Sequence, residues 1–307
     1  MMLLVIANLG SRSKGVAPTF AAVVTQTSIP ESPKVTASIA EGTAMLSFNR
    51  PARFRSSPAN RASAVLALAC AALTACSDGT APDRTDFGEL VPVGNGTART
   101  YVTSSGEGEP LEIGVVLSET AVAGLPAAGT VYLLPLPQTA VAPYKHATLN
   151  WNPTGHPPVN IFTVPHFDVH FYTITVAERA AILPTDAQFG VKAARTPSAE
   201  FIPAGYNRDP GAVPDMGTHW TDNSSPEFNG QPFTKTFIYG SWDGTFTFYE
   251  PMFTKALLES KAPVATSNLK LPLKYSSAGF YPTTYKVGYD AISKEHVIAL
   301  SGLVPRS

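Results

Sequence analysis

The sequence predicts a mainly β protein, a sandwich or jelly-roll barrel carrying two short helices. Three observations point there. Only 15% of the 307 residues are charged, well under the roughly 25% of an average soluble domain. The chain holds 28 Pro, nearly double the usual share of about 5%. Short runs rich in Val, Tyr, Phe and Thr recur between Gly, Pro, Asn and Asp turns, without long helical patterns alternating between them. An apolar content of 44%, with 10% aromatics, is enough for a core and excludes wholesale disorder.

In chain order, strands are expected over 100–103, 111–117, 130–134, 147–151, 167–176, 233–239, 245–249, 269–275, 285–289 and 296–300. Trp242-Asp243-Gly244-Thr245 supplies a hairpin signal between two of them. The helical patterns are 177–183 and 252–260, each a couple of turns. The stretch 188–229, dense in Pro, Gly and Asn, predicts an ordered functional loop region. No period of 20–50 residues repeats.

Residues 1–75 read differently. Segment 1–44 shows no sustained period and reads as upstream translation that is not native, with Met45 as the start. Arg53, Arg55 and Arg61 then precede an uncharged apolar run, 62–73. A basic region before so short an apolar stretch is a secretory signal, here 45–75, and is too short for a stable membrane span. It ends in Leu73-Thr74-Ala75-Cys76, which resembles the lipobox of bacterial lipoproteins. That resemblance implies cleavage before Cys76, lipidation of its thiol, and a place on the cell envelope at the outer membrane. The alternative is an ordinary signal peptide with an incidental Cys. A polar tether is expected over 76–98, and one β-rich metal-binding domain over 99–307.

Seven of the 22 basic and two of the 23 acidic residues fall in 1–75, which leaves 15 and 21 for the remainder. An acidic body without a basic cluster is a poor nucleic-acid binder, because phosphate contacts need Lys and Arg. Both Cys, Cys70 and Cys76, lie in or beside the signal, so the mature body has no disulfide to lean on.

Five of the six His lie between His146 and His219. On a strand, His166, Asp168, His170 and Tyr172 share one face while Phe167, Val169 and Phe171 share the other. His219 follows a turn shaped by Pro214 and Gly217. Phe246, Phe248 and Glu250 fall on one face, so the carboxylate would follow two core aromatics inward, where it must be paired, hydrogen-bonded or metal-bound. These residues predict one divalent-metal site of His166, His170 and His219, completed by Asp168 or Glu250, with zinc the expected ion and iron or manganese the alternatives. Bringing His166 and His170 together needs a bulge or bend. A buried polar network is the metal-free alternative. His156, in Gly155-His156-Pro157-Pro158, is expected in a turn that contacts substrate. Tyr172, Trp220, Tyr239, Trp242 and Phe248 are expected to wall an apolar or aromatic substrate.

Two resemblances follow from these motifs. Trp151-Asn-Pro-Thr-Gly-His-Pro-Pro158, Pro165-His-Phe-Asp-Val-His-Phe-Tyr172, Pro214-Asp-Met-Gly-Thr-His-Trp220 and Phe248-Tyr-Glu-Pro-Met252 together resemble an uncharacterised bacterial domain family. It is typed by a Thermus protein under extracytoplasmic stress sigma-factor control, and the likeness runs from about Pro110 to Leu300. It implies an exported, β-rich protein that forms homo-oligomers, with no settled activity. His166-x-Asp168-x-His170 followed by Pro214-x-x-Gly217-x-His219 is similar to the metal motifs of cupins, which implies a cupin-like jelly roll. Asp168 stands where cupins have a second His, and the usual Glu soon after the pair is missing.

The function expected is a metal-dependent hydrolase acting on an ester-type acyl bond of a small molecule or polymer, with Asp168 or Glu250 as ligand or general base. A Gly-x-Ser-x-Gly elbow is absent, and Gly240-Ser-Trp-Asp-Gly244 has its Ser displaced by one. A metal-dependent oxygenase or isomerase, and a non-catalytic envelope lipoprotein that binds a ligand or metal, are the alternatives. In a bacterial host fed labelled fatty acid, the label should enter the protein and vanish in Cys76→Ser, which should accumulate as precursor. A wild-type protein that never takes up label rules the anchor out.

Overall fold

Short runs that alternate apolar and polar residues bury one face each, and two sheets of them stack here as a sandwich. The computed structural model describes residues 81–307. The upstream segment 1–44, the signal 45–75 and the lipidation residue Cys76 lie outside the described residues.

The chain enters through β1 (Arg84–Phe87), β2 (Val91–Val93), β3 (Gly96–Ser104) and β4 (Pro110–Ser118). It next lays down β5 (Thr130–Leu134), β6 (His146–Asn152), β7 (His166–Tyr172), β8 (Tyr206–Arg208) and β9 (Thr218–Asp222). The long hairpin β10 (Lys235–Trp242) and β11 (Thr245–Thr254) completes that second sheet. β12 (Ala265–Asn268), β14 (Thr284–Asp290) and β15 (Glu295–Ser301) return to the first, while β13 (Gly279–Tyr281) pairs with β16 (Val304–Arg306).

All ladders are antiparallel, in the order β1-β3-β4-β15-β14-β12 with β2 on β3, and β5-β6-β7-β11-β10-β9-β8. The outer strands of each sheet do not pair with one another, so the jelly-roll barrel expectation gives way to an open sandwich. Edge strands β1 and β8, of four and three residues, are short enough to offer little template to another chain.

Most expected strands are present, and the differences have local causes. The tether is shorter than expected, because β1 and β2 within 76–98 pair with β3. No strand forms over 269–275, where Pro272 withdraws a backbone donor; the strand lies just before it, at β12. β7 stops at Tyr172, and Thr175 with Glu178 forms a capping box that starts α1 (Val176–Ala180). β11 runs on to Thr254, whose hydroxyl accepts from the Leu257 N–H and caps α3 (Lys255–Glu259). The region 188–229 is more regular than a loop, since it carries α2 (Phe189–Ala194), β8 and β9. With α1 and α3, that makes three short α-helices among the described residues where two were expected.

The main core lies between the sheets. Ile113, Val115, Leu117, Ile298 and Leu300 of the first sheet share it with Leu149, Phe167, Val169, Phe171 and Phe253 of the second. Every residue of β7 is buried, so its other face is covered too. A second apolar cluster of Phe162, Phe233, Ile238 and Met252 sits on that outer face.

The β10–β11 hairpin carries the irregularity that matters most to this face. Asp243 and Gly244 both have positive φ, 51° and 83°, as a tight two-residue hairpin turn requires. Next to it the register slips: Ser241 faces Phe246, but Gly240 faces Phe248, leaving Thr247 as the extra residue of a bulge. Phe246 therefore turns to the inter-sheet core, against Trp220 and Tyr239, while Phe248 turns to the outer face. The expectation that Phe246, Phe248 and Glu250 share a face fails at this bulge.

The Phe248 ring lies directly over Gly240, within the space a Cβ there would occupy, and is fully buried. Gly240→Ala should thus cost about 1–3 kcal/mol through overpacking, read as a lower urea midpoint at unchanged m-value. An unchanged midpoint would show that the ring yields freely.

Candidate metal centre

Strand alternation puts polar and ionisable side chains from four strands on the outer face of the second sheet. β7 contributes His166, Asp168 and His170, opposite Asn152, Asn150 and Thr148 of β6. β11 adds Glu250 and β9 adds His219, which is paired across from Gly240. The turn before His219 forms as its residues require. Val213 and Gly217 exchange backbone hydrogen bonds of 2.7 and 2.8 Å. Gly217 has φ 96°, and a Cβ there would strike the Ser241 carbonyl. His156 reaches the same face from the turn after β6, where its N–H donates to the Phe162 carbonyl at 3.1 Å.

These groups gather into two sets, His156 with His166 and Asp168, and His170 with His219 and Glu250. Within each set the candidate donor atoms lie within 4.8 Å of one another. The single centre expected from His166, His170 and His219 is therefore divided. Residues four apart on a strand are separated by about 13 Å. β7 pairs with β6 in unbroken register from His166 to Tyr172, so no bulge shortens that span. Asp168 and Glu250, expected as alternatives at one site, each complete a different set.

The spacing inside each set is distinctive. His166 Nε2 lies 3.2 Å and His156 Nε2 3.6 Å from the Asp168 carboxylate. His170 Nε2 lies 3.4 Å and His219 Nε2 3.7 Å from that of Glu250. Two ligand atoms on one tetrahedral zinc ion, each about 2.0–2.1 Å from it, would stand about 3.3 Å apart. His166 Nε2, Asp168 Oδ1, His170 Nε2 and Glu250 Oε2 are all buried without a hydrogen-bond partner among the described residues. Buried polar atoms are rarely left so, and an ion is one recognised cause.

The electrostatics of the two sets differ. Burial lowers His170 to about 3 and His219 to about 4, so both imidazoles are neutral near pH 7. Burial, then the charges of Asp168 and Asp209, push Glu250 well above the ordinary carboxylate range. This set is short of positive charge. At the other, burial opposes ionisation of Asp168, but the two imidazoles beside it outweigh burial and hold it low. Burial likewise works against protonation of His156, and the neighbouring Asp168 prevails and raises it.

The aromatic wall expected from sequence is only partly here. Tyr172 is, its ring stacked on His146 at 4.7 Å and on His170 at 5.5 Å. Trp220 and Tyr239 are not, because each occupies the opposite strand parity and joins the inter-sheet core. Trp220 Nε1 donates to Ser241 Oγ at 2.8 Å, so that serine is engaged in the core. Trp242 packs on Phe189 of α2 at 5.1 Å. Phe248, expected both as a core aromatic and as part of that wall, touches His170, His219 and Tyr172.

Other contributors had weaker signals. Asn152 donates to Asp168 Oδ2 at 2.7 Å, and Thr148 Oγ1 lies 3.4 Å from His170 Nδ1. The alternation His146, Thr148, Asn150, Asn152 marks them as one polar face. Asp209 had no sequence signal beyond its charge. Its N–H donates to the His219 carbonyl at 2.9 Å, and its half-buried carboxylate accepts from Thr221 Oγ1 at 2.7 Å.

The family described as TTHB210-like, hypothetical protein TTHB210, matches residues 105–151. The chain is thus similar, over β4, β5 and most of β6, to the uncharacterised family typed by a Thermus protein that the sequence resembles; the match ends at Trp151, before the His-bearing motifs of that resemblance. No curated protein and no solved structure matches the chain.

His146 offers a clean test of this buried face. Burial and then the nearby Arg179 charge lower it from 6.5 to about 4. The unfolded chain takes up a proton below 6.5 that the fold refuses, so its contribution to stability is complete above that pH and is lost as pH falls toward 4. His170 and His219 act in the same sense. Metal-free His146→Phe, which keeps the stack on Tyr172, should therefore lose Tm less steeply than wild type between pH 6.5 and 4.5. Parallel curves would show that His146 is protonated in the fold.

Proposed function

We propose that the protein is an exported metal-dependent hydrolase of ester-type acyl bonds, working at His170, His219 and Glu250. The observation that carries this reading is a ligand set of two imidazoles and one carboxylate whose buried donor atoms, His170 Nε2 and Glu250 Oε2, have no other partner. Three protein ligands of this kind are typical of catalytic zinc, whereas structural sites are closed by four. A divalent ion there supplies a Lewis acid and a bound water acidic enough to ionise near neutral pH.

The chain's own groups have separable tasks. His170 and Glu250 are buried and set the position of the site, while the His219 side chain is 18% exposed and marks its open side. Asp209 stands beside that open side, its carboxyl raised by desolvation, and is the group suited to take a proton from water. Phe248 and Tyr172 keep the inner side dry. In this reading the substrate is a small-molecule or polymer ester, and lipid at Cys76 holds the enzyme on the cell envelope.

The same ligand set favours one further reading, an iron-dependent oxygenase, since two His and one carboxylate also suit non-haem Fe(II). The identity of the retained metal separates the two.

Ester turnover by the metal-loaded protein should stop on chelation and return with added zinc. His219→Ala should lower kcat/KM at least a hundredfold. Ser241→Ala should leave turnover intact while costing about 1–3 kcal/mol of stability, because Trp220 Nε1 loses its acceptor. Turnover that survives complete metal removal rejects the mechanism. Metal binding without turnover on ester, amide or lactone panels would instead identify a metal-binding lipoprotein.

A further inference from the structure

We infer that His156, His166 and Asp168 form a second site for a divalent transition ion of the zinc type, independent of His170, His219 and Glu250. The inference stands whether or not the first set hydrolyses anything.

Tautomer and direction carry it. His156 Nδ1 lies 2.7 Å from the Pro157 carbonyl, and His166 Nδ1 lies 2.7 Å from the Val164 carbonyl. A carbonyl only accepts, so each Nδ1 carries a proton, and Nε2 is the atom of each ring left to bind a cation through its lone pair. Both lone pairs face the same carboxylate, at 3.6 and 3.2 Å. Acceptor facing acceptor in a buried place is unfavourable unless a cation stands between them.

The competing arrangement is an imidazolium–carboxylate pair. It would need Nε2–H of His166 to point at Asp168 Oδ1. At 3.2 Å they stand at contact spacing, yet among the described residues neither atom has a well-formed hydrogen bond, to the other or to anything else. That is the relation of two ligands converging on a third point.

The surroundings are those of a prepared site. Asn152 Nδ2 fixes Asp168 Oδ2 at 2.7 Å, and backbone carbonyls orient both rings, which is how outer partners hold metal ligands. Phe162 lies edge-on to His156 at 6.0 Å, and Phe233 to His166 at 5.6 Å, which shields the inner side from water. The His156 side chain is 35% exposed, which leaves an entry route from solvent. Two imidazoles and a single carboxylate exclude calcium and magnesium, which take oxygen ligands.

The test is titration of the metal-free full chain with zinc against a chromophoric chelator. Wild type should bind two equivalents, and His156→Ala and His219→Ala one each. Asp168→Asn, close in shape to the native residue, should lose the same equivalent as His156→Ala. Asn152→Ala should keep two but weaken one about 10- to 100-fold. One wild-type equivalent that His156→Ala removes and His219→Ala spares would uphold this site and reject the hydrolytic centre. One equivalent that His219→Ala abolishes, two that survive His156→Ala, or none in wild type would overturn the second site.

Discussion

Side-chain alternation along β7 is the constraint on which the rest of the molecule turns. Each residue from His166 to Tyr172 must face one side of the sheet or the other, and all seven are buried. Phe167, Val169 and Phe171 join the two sheets into a sandwich. The alternate positions must then be enclosed as well, and they carry two imidazoles, a carboxylate and a phenol. The first face could be exchanged for other apolar residues of similar volume. The second obliges β6, β9, β11 and the turn at His156 to supply partners for groups that water can no longer reach.

Those partners are unequal. Around Asp168, an amide and two imidazoles held by carbonyls surround the carboxylate and keep it ionised. Around Glu250, the imidazoles are stripped of their protons by burial and the carboxyl resists ionising. One strand thus carries two sets of the same composition in opposite electrostatic conditions. The difference arises from the neighbours, since His156 sits on a partly open turn and His170 is walled in by Tyr172 and Phe248.

How much of this was legible in the sequence depends on how far each feature reaches along the chain. Period-two alternation is local, so most strands and the polar face of 166–172 could be read directly. The turn that delivers His219 was legible for the same reason, in Pro214 and Gly217. Which strands adjoin is not local. The pairing of β7 with β11 and β6 divides His166 from His170 and assigns Asp168 and Glu250 to different sets, and no spacing within 166–170 encodes that. The bulge at Thr247 was hidden because it is a property of the pairing between two strands, with Ser241 opposite Phe246 and Gly240 opposite Phe248. Trp220 and Tyr239 were misplaced because an aromatic neighbour in sequence sits on the opposite side of a strand from the residue it flanks.

That bulge also sets how this surface can change over evolutionary time. Point substitutions in β11 act on one face at a time, since each side chain is committed to one side. Loss of a single residue at Thr247 would make Ser241–Phe246 and Gly240–Phe248 consecutive pairs of a regular ladder, leaving Phe246 toward the core and Phe248 and Glu250 on the outer face. A loss between Phe248 and Glu250 would differ, because it would set those two side chains on opposite faces and part the ring or the carboxylate from the imidazoles. Among descendants of this chain, a gap at Thr247 should therefore be neutral to the Glu250 set, and a gap at Tyr249 should mark the point at which that set ceased to be maintained.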